Sequence, residues 1–156
     1  MPVPFIESDV AVQFIDSRLD QLRHILDEFP NDKLWERPQD GMLSLGNLIC
    51  HVAGSMRDWF ENGLAQQTWT RDRQFEFDRN GGMNQSELTS HLDATRTHCN
   101  QFLSEISADN WDDSRVFRSK TYTVRDIILH QLEHISYHAG QAAFLRRIVG
   151  NLPPAD

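Results

Sequence analysis

The sequence is poor in cysteine, in long apolar runs and in positive charge, and each shortage argues against a class of function. Its 156 residues hold two cysteines, Cys50 and Cys99, and no CxxC pair. That argues against a disulfide framework and predicts a cytoplasmic setting. Both thiols read as small buried hydrophobes rather than nucleophiles. No apolar run approaches the roughly 20 residues of a bilayer span, so no membrane partner is expected. The N-terminal MPVPFIESDV has no basic n-region and no apolar h-region, so no secretory signal is expected. Lys and Arg number 15 against 23 Asp and Glu, a formal net charge of −8. A nucleic-acid backbone demands clustered cations for counterion release, so nucleic acid is not an expected partner. No glycine-rich phosphate loop or dinucleotide fingerprint occurs.

What remains is a soluble globular composition, 39% hydrophobic and 24% charged, of a length suited to one domain over residues 1–156. Helical periodicity dominates, and four long helices are expected. The first covers about 9–29, capped by Ser8, with Val10, Phe14, Leu22, Ile25, Leu26 and Phe29 as its apolar stripe and Pro30 as its stop. The second covers about 45–63 behind Ser44, with Leu45, Leu48, Ile49, Val52, Met56, Trp59 and Phe60 facing a core. The third covers about 85–106. The fourth covers about 124–149, opened by Thr123 and Asp126 as a capping box and closed by Gly150. A short hairpin is expected near Val116 and Phe117, turning at Ser119 and Lys120. Together these predict an all-α four-helix bundle. The connection over 64–84 is long for a loop, so a crossover topology is expected, with Trp69, Phe75 and Phe77 closing over the mouth of a site.

The chemistry lies in the histidines. His130, His134 and His138 follow one another at i, i+4 spacing and span about 80° of a helix circumference. They share their sector with Ile127, Leu145 and Ile148, which points them into the bundle. A buried imidazole needs partners for two ring nitrogens. One shared metal ion satisfies one nitrogen on each ring, and i, i+4 is the helical spacing that lets two imidazoles reach one cation. On the second helix His51 lies within about 40° of Ser44, Asn47, Ser55 and Asp58. Alone that stripe reads as a solvated flank. Opposite the histidine helix it reads as a ligand with polar neighbours. His24, His91 and His98 lack such context and read as surface or packing residues.

SLGNLICHVAGSMRDWF, followed far downstream by TVRDIILHQLEHISYHAGQ with its H-x-x-x-H-x-G-Q element, resembles the DinB-like superfamily of metal-dependent bacterial proteins. The resemblance covers nearly the whole chain. It implies an up-down-down-up bundle, a divalent transition metal (nickel or zinc foremost) and a homodimer. It places the ligands on His51, His134 and His138, with His130 as an outer or pocket residue. Characterised members use a low-molecular-weight thiol to act on a small molecule, which implies S-transfer or hydrolysis here.

Three neutral imidazoles leave coordination positions open, as catalytic sites do. A zincin is not expected, because Ile135 stands where its general base would be; nor is a di-iron centre, because no ExxH pair occurs. Asp58, two turns beyond His51, is the leading acid–base candidate, against a plain solvated carboxylate. Tyr137 borders the pocket and could donate to a developing oxyanion, against a packing role. Gln141, one turn after His138, could hold a ligand's other ring nitrogen. A non-catalytic module, with the metal structural or sensory, is the rival reading.

Overall fold

The computed structural model describes residues 8–154. Residues 1–7, on which the expectation of no secretory signal rests, lie outside the described residues, as does the Ser8 side chain expected to cap the first helix. Four long helices carry the fold: α1 (Ser8–Glu28), α2 (Leu45–Arg57), α4 (Gln85–Ser104) and α5 (Val124–Ile148), with a short α3 (Arg73–Asp78) inside the long connection. A two-stranded antiparallel hairpin, β1 (Ser114–Phe117) and β2 (Lys120–Thr123), precedes α5. It turns on Arg118 and Ser119, one residue earlier than expected. No described helix is long and apolar enough to cross a membrane.

The caps explain where the helices begin. Ser44, Asn84 and Thr123 each accept the amide three residues on, and Asn47, Glu87 and Asp126 reach back to complete capping boxes. Beyond Arg57, α2 continues as a π-helical turn over Asp58–Leu64. Such turns are rare and often mark functional sites.

Pairwise contacts give the helix directions. Gln85 hydrogen-bonds the carbonyls that end α1, while Arg96 pairs with Asp20, so α4 runs against α1. Trp35, stacked on Gly46 at the start of α2, donates to Met83 O just ahead of α4. At the far end of α2, Glu61 meets His98. α2 and α4 are therefore parallel neighbours, which no short loop can join. His51 faces His134, and Gly63 faces Ile127, so α5 runs against α2. The order is up-down-down-up, and residues 65–84 form the crossover.

The core lies between these four helices. The expected face of α2 is buried from Leu45 to Phe60, and α4 buries Leu88, Leu92, Thr95, Cys99 and Leu103. The first helix differs. Val10 and Phe14 are exposed, and the stripe in contact runs through Ala11, Ile15, Leu19, Leu22, Ile25, Leu26 and Phe29. α1 packs on α5 and α4 at once, and that double contact, not hydrophobicity alone, sets its rotation. On α5, Ile127 and Leu145 are buried as expected, but Ile148 faces outward.

Candidate metal centre

α2 and α5 bring His51, His134 and His138 together. Their ligand atoms all lie within 4.8 Å of one another. His134 Nε2 stands 3.2 Å from His51 Nε2 and 3.1 Å from His138 Nε2. Three imidazoles bound at about 2.1 Å to a tetrahedral or octahedral ion would show Nε2–Nε2 edges of about 3.0–3.4 Å. The donor set therefore fits a divalent cation.

The outer ring nitrogens fix the tautomers. His51 Nδ1 donates to Glu76 Oε2 at 3.1 Å, and His138 Nδ1 donates to Gln141 Oε1 at 2.7 Å. Both assignments follow from the partners and leave the Nε2 lone pairs directed inward. His134 Nδ1 is buried and has no hydrogen-bond partner among the described residues. Burial pushes the His138 imidazole down to about 4; burial and the neighbouring imidazoles push His134 down to about 3. The His134 and His138 rings are thus neutral and ligand-ready at neutral pH.

Glu76 comes from α3 in the crossover, and sequence reasoning missed it. Burial would raise its carboxyl, but hydrogen bonds from Arg71 and His51 outweigh that and hold it below its ordinary range. Arg71 grips both oxygens at 2.7 Å. A Cβ on Gly54 would fall 1.9 Å from Glu76 Oε1, so the glycine leaves the space that the Glu76 carboxylate occupies against α2. Asn47 ties the same segment by its backbone, donating to the carbonyls of Glu76 and Arg79. The one available signal was an acid set between Phe75 and Phe77 in a connection too long to be a mere linker.

The remaining candidates fall around this core. Gln141 lies on His138 as anticipated. Asn47 acts one step away, on the crossover backbone rather than on a histidine. Ser55 is buried and accepts from Gln131. His130 is exposed at the flank, its ring 4.0 Å from Trp59 and 6.3 Å from His134; burial lowers its pKa. Asp58 is no solvated carboxylate. It is buried, bonded to Arg118 and to Asn62 at 2.8 Å, with Arg71 3.6 Å away. Tyr137 is exposed, edge-on to His138 at 5.2 Å, beside a cavity of 560 Å³ that Gln141 and Phe144 also line. Of the crossover aromatics, Phe77 alone packs on the cluster, 4.9 Å from His51. Trp69 and Phe75 instead line a cavity on the other side of α2, with Cys50 and His91, so they do not close the mouth of the histidine site.

Residues 10–150 match the family described as mycothiol-S-transferase. The chain belongs to the mycothiol-S-transferase family. Its fold is shared with a DinB-like protein from Bacillus cereus at 15% identity, TM-score 0.77, over 96% of this chain and 98% of that one. It is shared too with YfiT from Bacillus subtilis, a probable metal-dependent hydrolase with an unusual four-helix bundle topology, at 14% identity, TM-score 0.72, over 94% and 91%. A mutant of the mycothiol-dependent maleylpyruvate isomerase matches at 14% identity and TM-score 0.68; 86% of this chain covers 60% of that one. No curated protein matches the chain.

Proposed function

We propose that the protein is a metal-dependent thiol transferase: His51, His134 and His138 hold one divalent ion, zinc or nickel, at which a low-molecular-weight thiol reacts with a small molecule. The observation that carries this is the convergence of three Nε2 atoms at 3.1–3.2 Å steps, with outer partners that turn two lone pairs inward. The family name and the isomerase neighbour supply the thiol, mycothiol or a relative of it. A bound divalent cation would supply Lewis acidity, lowering the pKa of a thiol or water at the open positions.

The chain's own residues do the rest. Glu76 and Gln141 hold the rings of His51 and His138 in one tautomer and one orientation. Phe77 covers the His51 side of the cluster, and Trp59 backs the exposed His130. Asp58, held by Asn62 with Arg71 close by, orders the edge of the site. Tyr137 offers a hydroxyl donor beside the cavity that would take the apolar part of the small molecule. His134 is half-buried, which supports an accessible ion over a closed structural one. The outward-facing Phe14 and Ile148 support a homodimer, and the two free thiols a cytoplasmic location.

Elemental analysis of untagged, chelator-free protein tests the proposal. We expect about one equivalent of a transition metal in the wild type and none in His134→Ala. Metal that persists in the variant, or a wild type that takes up none when offered, overturns it.

A further inference from the structure

We infer that Arg118 is an anion-recognition residue at the mouth of the histidine site, selecting a partner that carries a carboxylate several bonds from its reacting group. This rests on the reading of the site as one where a small molecule reacts.

The hairpin turn carries the argument. Arg118 and Ser119 both stand in the left-handed region, at φ 52° and 61°. A two-residue turn of this kind favours Asn-Gly, because L side chains with a Cβ resist positive φ. An arginine here costs stability that an asparagine or glycine would not. The hairpin is nonetheless firmly placed. Phe117 and Tyr122 pack edge-on against Trp59 at 4.9 and 5.3 Å, and Arg115 donates to Leu64 O at 3.0 Å. The turn thus presents one chosen side chain at a fixed point, and strain of this sort is often kept for function.

That point lies on the flank of the cluster where His130 is exposed. The Arg118 guanidinium lies over Phe117 and Trp59, at 4.8 and 5.6 Å from the ring centres. Trp59 stacks on His130, the exposed imidazole next to His134. A molecule that touches Arg118 at one end and His134 at the other crosses this aromatic shelf.

Asp58 does not need Arg118. The arginine side chain is 50% exposed while the Asp58 carboxylate is 9% exposed. Asp58 retains Asn62 and Arg71 when Arg118 leaves. The Arg118–Asp58 bond therefore serves as a resting position, exchanged for an incoming carboxylate in a paired, planar contact.

The test uses cobalt-loaded protein and matched probes: 3-mercaptopropionate and 6-mercaptohexanoate against the corresponding mercapto alcohols. Binding is read from thiolate-to-cobalt absorption. We expect at least one mercapto acid to bind roughly tenfold or more tightly than its alcohol, the scale of a charge-assisted contact. Arg118→Gln and Arg118→Asn should erase that preference and leave the alcohols unchanged. Arg118→Asn suits the turn and should melt no more than a few degrees from the wild type, which separates recognition from folding. Equal binding of acid and alcohol, or a preference that survives in Arg118→Asn, overturns the inference. If no thiol gives the absorption, the thiol reading falls, and Arg118 is judged in metal-free protein. There its side-chain Nε–H resonance should shift with hexanoate; a silent resonance overturns the inference.

Discussion

Glutamine in place of Glu76 keeps the shape of the side chain and removes its charge. In the wild type, Glu76 Oε2 accepts from His51 Nδ1 at 3.1 Å while Arg71 holds both oxygens. Charge-assisted bonds are about twice as strong as neutral ones. Losing the outer partner of a ligating histidine costs about 10–100-fold in metal affinity, or about 1.4–2.8 kcal/mol. A second cost falls on the fold, because Arg71 is only 8% exposed and would face a neutral amide. A buried charge with no partner costs about 3–5 kcal/mol. Asp58, 3.6 Å away, retains part of the compensation, so about 1–3 kcal/mol is expected. Competition with a chromophoric chelator measures the first cost, and denaturant melts of metal-free protein the second. A Glu76→Gln protein that binds metal within twofold of the wild type would refute the assignment of Glu76 as the group that holds His51.

Gln141→Ala should weaken metal binding less than Glu76→Gln, since the lost acceptor is a neutral amide; chelator competition on both variants ranks them. Gly54→Ala should push Glu76 off α2, lowering both melting temperature and metal affinity, whereas alanine at the open Gly140 should do neither. Metal-free protein should lose stability below pH 6.5. His134 and His138 are depressed to about 3 and about 4, so the unfolded chain takes up protons first. Their contribution is full above 6.5 and is lost as pH falls through 4 and then 3. One proton per imidazole caps the slope that each contributes at about 1.4 kcal/mol per pH unit. Denaturant melts at pH 7 and pH 5 should show this dependence in the wild type and a shallower one in His134→Ala.

Elements with strong local signals were readable from the sequence. The capping residues Ser44 and Thr123 open their helices where expected, and of the three spaced histidines of α5, His134 and His138 converge with His51 while His130 stays exposed. What was not readable depends on contacts across the chain. Phe14 is as apolar as Ile15, and only the two-sided packing of α1 makes Ile15 the buried one. Glu76 lies 25 residues from His51, in a stretch without periodicity, and nothing local marks it as that ring's partner. The burial of Asp58 could not be read locally, because its guanidinium neighbours come from the crossover and from the hairpin turn.

The parallel pairing of α2 and α4 also bears on how the protein folds. An up-down bundle assembles by zipping adjacent helices together, with little loop entropy to lose. Here residues 65–84 must travel the length of the bundle before α4 can align with α2. His51 and His134 meet across 83 positions of sequence. The three imidazoles gather only after this chain reversal is complete, so the site is among the last parts of the molecule to form. Metal added during refolding should leave the folding rate unchanged and slow unfolding instead, because the ion meets its ligands on the native side of the barrier.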